Sequence, residues 1–243
     1  MRVWGEAMIG WICYEEAGMP RIECRRYGDT AVLAVRVPRG TGLRAAFAAR
    51  RAASLLAKQH VRLAAFPVDY PYTDTFLRRG IVSPDVTRLN LVCAPQIALL
   101  ALRQSGRAAE NANVALVSEK LCSEVHSAAH SLARTVRYLT LRTPDADALA
   151  LTLRREYGVA AKVLREGDAV RADLALSFDA AGEGCIALGD VSLEASYSAL
   201  LDEKICTDTP LLAALFSVGA LRTQDIRLEH LILPEIGKLS LTT

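Results

Sequence analysis

The sequence predicts an α/β protein with a mostly parallel sheet covered by helices on both faces, which gives three layers. Short apolar runs rich in Val, Leu and Ala alternate along the chain with segments of helical periodicity. Strands that alternate with helices are typical of β–α–β units, whose parallel strands are buried on both faces. With 243 residues, 51% of them hydrophobic, the chain is long enough to form a sizeable core.

Residues 1–106 are expected to form an N-terminal α/β region that contains an antiparallel β-hairpin. The first 40 residues are rich in Trp, Ile, Val and Tyr, which indicates antiparallel strands. Gly40 and Gly42 then precede a helix, LRAAFAARRAASLLAKQ. Its apolar residues fall at helical spacing, with the arginines on the other side: Leu43, Phe47, Ala53/Ser54 and Leu55/Leu56.

The rest of this region is expected to alternate between strands and helices. Strand RLAAFPV (62–68), helix YTDTFLRRG (72–80), strand TRLNLVC (87–93) and helix APQIALLALRQSG follow one another. The polar segment RAAENAN (107–113) is expected to connect this region to a second domain over 107–243.

The second domain shows the most regular alternation. Strand NVALVS (113–118), a helix, strand YLTLRT (138–143), a helix opened by Thr143-Pro144-Asp145, and strands ADLALSF (172–178) and CIALG (185–189) follow in order. Residues 113–189 resemble, in this order and spacing, the Rossmann domain of shikimate-dehydrogenase-like and related amino-acid dehydrogenases. The resemblance implies a Rossmann-like domain. It also implies that Arg142-Thr143, at the end of the second strand, would contact the 2′-phosphate of NADP.

The first strand of this domain lacks the glycine-rich turn that the resemblance requires. Ser118, Lys120 and Ser123 stand at the three glycine positions of G-x-G-x-x-G. Lys120 would enter the space of the diphosphate, and Glu119 would put a negative charge beside it. We therefore expect no ordinary dinucleotide binding and favour no cofactor, with NADP, bound through a divergent turn at these residues, as the alternative.

The helix after this turn carries a possible metal-binding stripe. Cys122, His126 and His130 are spaced at i, i+4 and i+8, so they rise along one side of the helix. A thiolate and two imidazoles could bind zinc. The two histidines rotate toward the polar side, which also holds Arg134 and Arg137, and no acidic partner is evident. We favour a boundary cysteine with two exposed histidines over a metal site.

The loop FPVDYPYTD (66–74) offers candidate catalytic residues. Asp69, Tyr72 and Asp74 follow a predicted buried strand, and ligands in open α/β sheets bind beyond the carboxyl ends of strands. The prolines, tyrosines and acids of this loop also suit a turn and a helix cap. We favour the turn and cap.

Charge and cysteine usage restrict the function further. Residues 1–143 carry a net charge of +9 and residues 144–243 a net charge of −7, which could steer an anionic ligand or favour a homodimer. The arginines form no aromatic-interleaved basic motif, so no nucleic acid is expected, and no apolar run suits a membrane span. The six cysteines are scattered singly, which indicates a cytoplasmic protein.

These observations favour a non-catalytic binding or assembly protein. The alternative is an NAD(P)-dependent oxidoreductase-like or small-metabolite-binding enzyme with a divergent phosphate loop. Its crevice would lie between the loop 66–74 and the turn 118–123.

Overall fold

The computed structural model describes residues 8–15, 20–27, 30–165, 167–179, 184–197 and 205–232. It confirms the α/β class and groups the chain into two compact units. One unit comprises Met1–Val86 and Ala195–Arg227, and the other comprises Thr87–Glu194 and Leu228–Thr243. The domain bounds expected from the sequence, 1–106 and 107–243, differ from these units and stay a prediction. Within the described part of the chain, no helix is both long and apolar enough to cross a membrane.

The first unit contains a four-stranded mixed sheet in the order β2-β3-β1-β4. Its strands are β1 (Met8–Glu15), β2 (Arg21–Tyr27), β3 (Thr30–Pro38) and β4 (Leu63–Ala65). The predicted hairpin is confirmed, because β2 and β3 pair in antiparallel fashion. The expectation that the first 40 residues are antiparallel throughout is wrong for β1, which runs parallel to β3 and β4. The chain reverses twice between β1 and β3, and β3 lies between β2 and β1, so β3 takes the direction of β1.

Helix α1 (Leu43–Lys58) covers this sheet with five alanines and Leu56. Its buried residues are Ala45, Ala48, Ala49, Ala52, Ala53 and Leu56. The predicted apolar stripe is wrong for Leu43 and Phe47, which are 92% and 60% exposed, whereas Ala53 and Leu56 of the same stripe are buried. Small side chains let the helix backbone lie close to the sheet. At Gly10 of β1 an added β-carbon would lie 2.8 Å from Leu56 Cδ1.

The predicted strand at 87–93 is a helix. Helix α2 (Thr73–Leu77) is followed by α3 (Val86–Val92) and α4 (Ala94–Gln104). Leu89, Asn90, Cys93 and Ala94 are all fully buried, which is the spacing of one helical face. The Asn90 side-chain amide donates hydrogen bonds of 2.8 Å to the carbonyl oxygens of both Leu188 and Val191. The apolar sequence around Asn90 gives no indication of these buried hydrogen bonds.

The second unit contains a five-stranded, wholly parallel sheet in the order β7-β6-β5-β8-β9, which confirms the Rossmann-like expectation for the sheet. Its strands are β5 (Asn113–Val117), β6 (Tyr138–Arg142), β7 (Lys162–Val163), β8 (Leu174–Ser177) and β9 (Ile186–Ala187). Helix α5 (Ser123–Leu132) connects β5 to β6, and α6 (Ala146–Tyr157) connects β6 to β7. The chain first adds strands on one side of β5 and then continues on the other side with β8.

The remaining elements lie in the last quarter of the chain. Strands β10 (Ser192–Tyr197), β11 (Ile205–Asp208) and β12 (Arg227–Ile232) form a three-stranded sheet in the order β11-β10-β12. Helix α7 (Thr209–Ser217) belongs to the first unit.

Candidate functional site

The turn after β5 lies where the strand order of the parallel sheet reverses. In open α/β sheets this switch point is where a ligand binds, at the carboxyl ends of the two central strands. Ser118 follows β5 and Asp179 follows β8. Asp179 Oδ2 accepts a hydrogen bond of 2.6 Å from the Glu119 amide and one of 3.0 Å from the Ser118 hydroxyl. A carboxylate of the chain itself therefore occupies the donors of this turn.

The Ser118 side chain fills the interior of the turn. Ser118 is buried, and its single hydroxyl proton is shared between Asp179 Oδ2 and the Lys120 carbonyl oxygen, which lies 2.9 Å away. The hydroxyl oxygen accepts a bond of 3.3 Å from the Lys120 amide. A glycine at this position would leave that space open to a diphosphate. The Lys120 side chain itself is exposed.

The N-terminus of α5 also has an anion of its own. Glu124 accepts hydrogen bonds from the Cys122 thiol at 3.0 Å and from the Ser123 hydroxyl at 2.9 Å. These bonds, that of Cys122 first, lower the pKa of Glu124 below its usual value. Burial, helped by the bond to Glu124, raises the pKa of the Cys122 thiol. The Glu124 carboxylate thus complements the helix dipole that would otherwise favour a bound phosphate.

Arg142 and Thr143 lie at the end of β6, beside this turn. The Ser118 amide donates to the Arg142 carbonyl oxygen at 2.9 Å, which extends the pairing of β5 with β6. The Thr143 hydroxyl donates to Asp145 Oδ1 at 3.1 Å at the start of α6. The positive charge of Arg142 partly offsets the rise that burial causes in the pKa of Cys185. The structure thus places the five candidate cofactor residues (Ser118, Lys120, Ser123, Arg142 and Thr143) around the carboxyl ends of β5 and β6.

The two histidines of α5 have partners in α6 and at its N-cap, contrary to the expectation that no acidic partner is near. His126 Nε2 lies 2.5 Å from Asp145 Oδ2. His130 Nδ1 lies 3.3 Å from Glu156 Oε2 and 3.3 Å from the Tyr157 hydroxyl. Among the residues that the structure describes, no three or more His, Cys, Asp or Glu side chains form a group that could hold a metal ion.

The loop 66–74 divides its candidate residues between solvent and core. Asp69 and Asp74 are exposed, and Asp69 has a left-handed backbone with a φ of 62°. Tyr72 is half-buried, and its hydroxyl donates to the Gly42 carbonyl oxygen at 3.3 Å. Tyr70 is buried and stacks on Phe66 with ring centroids 5.7 Å apart.

Asp179, which accepts the hydrogen bonds of the switch-point turn, is not among the site residues predicted from the sequence. A signal for it exists, because Asp179 comes directly after the apolar run ADLALSF and so follows a buried strand. The turn that Asp179 contacts depends on which strand pairs with β8, and the order of the elements along the chain does not reveal that strand.

Comparisons with known proteins add a distant structural likeness. No family model and no curated protein matches the chain. Among solved structures, the chain is similar to the crystal structure of L-tryptophan dehydrogenase from Nostoc punctiforme, with 14% sequence identity and a TM-score of 0.29. The match covers 71% of this chain and 56% of that chain, so the chain spans little more than half the length of the protein it matches. A likeness at this level does not extend to function.

Proposed function

We propose that this chain is a non-catalytic binding or assembly protein that does not bind a dinucleotide in the ordinary way. The observation that supports the proposal is the Asp179 carboxylate at the switch point of the second unit. A bound diphosphate would need the Glu119 amide, and it would meet a carboxylate already within hydrogen-bond distance of that amide. Two anions competing for one donor repel each other, so the bound state would be disfavoured.

The alternative is an NAD(P)-dependent oxidoreductase-like or small-metabolite-binding enzyme with a divergent phosphate loop. In that case Arg142 would contact the 2′-phosphate of NADP, and Lys120 would approach the diphosphate. This mode requires Asp179 to release both of its hydrogen bonds. We further propose that the protein is cytoplasmic and forms a homodimer.

Thermal-shift measurements with NADPH, NADH, S-adenosylmethionine and nucleotides test the first part of the proposal. A true ligand well above its dissociation constant stabilises the folded state by about 2.7 kcal/mol at 100 times that constant. We expect no change in Tm for the wild-type protein with NADPH or NADH. A rise of several degrees in the wild type, lost in Arg142→Gln and kept in the surface control Arg103→Gln, would establish the alternative.

The assembly part has a separate test. Light scattering across a range of protein concentrations should give the mass of two chains. A single-chain mass at every concentration would contradict the homodimer and leave the statement on dinucleotides unaffected.

A further inference from the structure

The outward face of helix α6 in the second unit carries a stripe of four residues at helical spacing. Asp147, Ala150, Leu151 and Arg154 lie at positions i, i+3, i+4 and i+7, so they share one side of the helix. The buried residues of α6 lie on its other side. Leu151 is 66% exposed, so this large apolar side chain contributes little to the core of the single chain.

A groove of about 300 Å³ adjoins this stripe, between α6 and the segment that leads into β7. Strand β7 is at the edge of the parallel sheet. The groove is lined by Asp147, Ala150, Leu151, Arg154, Ala160 and Ala161. Since a cavity of about 150 Å³ accommodates a benzene molecule, this groove has room for a leucine side chain. The face therefore presents both a projecting leucine and a place that a leucine can enter.

The two charged residues of the stripe have opposite signs and lie at its two ends. Asp147 is in the first turn of α6 and Arg154 is in the last turn, and both are exposed. The Asp147 carboxylate lies 2.9 Å from Arg165 Nη1, in an ion pair that is exposed on both sides. Its oxygens have further lone pairs, so it can accept hydrogen bonds from a second guanidinium. Among the residues that the structure describes, the Arg154 guanidinium has no acidic partner.

A second copy of the chain complements this face by symmetry. A two-fold axis perpendicular to a helix sets the two copies of that helix antiparallel, and the same surface then serves both subunits. An axis that passes between Ala150 and Leu151 places Asp147 opposite Arg154 of the partner subunit, because both residues are equally far along the helix from that point. Both charge pairs form together, and each Leu151 is brought to the groove of the other copy.

Helix α1 also exposes large apolar residues, Leu43 and Phe47, but it lacks this self-complementarity. Its sequence contains three arginines and a lysine and no acidic residue. Two copies of α1 placed face to face would bring like charges together, which costs free energy. The charges therefore favour α6 over α1 as the surface that meets a second copy.

We propose that the stripe of α6 and the adjoining groove form the interface of an isologous dimer. Leu151 enters the groove of the other chain, and Asp147 pairs with Arg154 of the partner subunit. The inference rests on the homodimer proposed above and names the surface that forms it.

The size of this surface sets the expected strength of the dimer. Each chain contributes one helix and one groove, which is less than the roughly 800 Å² per partner of a standard stable interface. We therefore expect a dissociation constant in the micromolar range. Below that range the protein is a single chain, in which Asp147 keeps only its exposed ion pair with Arg165.

Sedimentation equilibrium over a series of protein concentrations tests the central apolar contact. Leu151→Asp should raise the dissociation constant at least about 30-fold, because it puts a charge where the leucine enters the groove. Leu43→Asp makes the same change on the exposed face of α1 and should leave the dissociation constant unchanged. A dimer that persists in Leu151→Asp would overturn the assignment to α6 and leave the homodimer in place. A single-chain wild type at every concentration would overturn both.

An exchange of charges tests the two-fold pairing. Asp147→Arg and Arg154→Asp each place like charges opposite one another in a homodimer, so each variant alone should dissociate at least about tenfold more readily. In a mixture of the two variants, both pairs between unlike chains join an arginine to an aspartate, so heterodimers should form with an affinity close to that of the wild type. Native mass spectrometry distinguishes the heterodimer from the two homodimers by mass.

Arg103→Asp on α4 makes the same charge change on another exposed surface, and it should leave the dimer of the wild-type strength. A mixture of Asp147→Arg and Arg154→Asp that shows no preference for the heterodimer would overturn the pairing of these residues. The same holds if Arg103→Asp weakens the dimer as much as Arg154→Asp does.

Discussion

Replacing Asp179 by alanine should destabilise the protein by a moderate amount that the structure allows us to work out. The change removes the acceptor of the Glu119 amide, which is exposed, so water can replace part of that bond. The Ser118 hydroxyl is buried but keeps the Lys120 carbonyl oxygen as an acceptor at 2.9 Å. Hydrogen bonds to charged groups contribute about 1.5–3 kcal/mol each, and both of these are partly compensated, so we expect a total loss of about 1–2 kcal/mol.

Urea unfolding followed by circular dichroism measures this loss. For a chain of this size it corresponds to a fall in Tm of roughly 2–8 °C. Asp179→Asn keeps a carbonyl oxygen for the amide and should lose about half as much. Asp147→Ala is the matched control, because its ion pair with Arg165 is exposed on both sides and should contribute at most about 0.5 kcal/mol. Equal losses in Asp179→Ala and Asp147→Ala would refute the reasoning about the turn.

Three further predictions concern packing and thiols. Gly10→Ala should cost about 1–3 kcal/mol, measured by urea unfolding, because the new β-carbon would lie 2.8 Å from Leu56 Cδ1 and 2.9 Å from Ala64 Cβ; unchanged stability would contradict the close packing of α1. Burial raises the pKa of Cys93 from 9.0 to about 12, so above pH 9 the unfolded chain loses a proton that the folded protein keeps. The free energy of unfolding should then fall by up to about 1.4 kcal/mol per pH unit because of this group. In Cys93→Ala the fall with pH should be smaller, and an equal fall in the wild type and the variant would contradict the prediction. Iodoacetamide should label the exposed Cys24 in the folded protein but Cys93 only after unfolding. Mass spectrometry of the labelled protein locates the adduct, and an adduct on Cys93 of the folded protein would contradict the prediction.

The parallel sheet of the second unit could be predicted because its strands are short, apolar and separated by helices. In β5 and β8 nearly every residue is buried, which is the pattern of strands covered on both faces. Helix α6 is bounded by signals that act locally, Pro144 before it and Gly158 after it with a φ of 70°. Such signals need no knowledge of the rest of the fold.

The errors arise where tertiary packing decided the outcome. Residues 87–93 contain Leu and Val at spacings that suit a strand or a helix, and the buried Asn90 amide fixes the helix to a loop about 100 residues later in the chain. In α1 the large residues Leu43 and Phe47 suggested the core face, but the buried face of the helix consists mainly of alanines. Hydrophobic periodicity reveals neither how closely a helix packs on a sheet nor which distant residue a buried side chain contacts.

The candidate site was predictable only in part, for the same reason. The absence of glycines in the turn 118–123 is visible in the sequence, and so is the polar side of α5. The partners of that turn and of the histidines come from β8 and α6, and they depend on which elements become neighbours.

The division of the chain has a consequence for the order in which the protein can fold during its synthesis. Helix α7 contacts β1 and β4, and its residues 211–215 are almost fully buried. It leaves the ribosome after the whole parallel sheet, residues 113–187, has been made. The first unit therefore gains α7 only after the parallel sheet of the second unit has been made, and β1 and β4 lack their contacts with α7 until then. We expect nascent chains that end near residue 194 to contain a folded five-stranded parallel sheet and a four-stranded mixed sheet that still lacks α7.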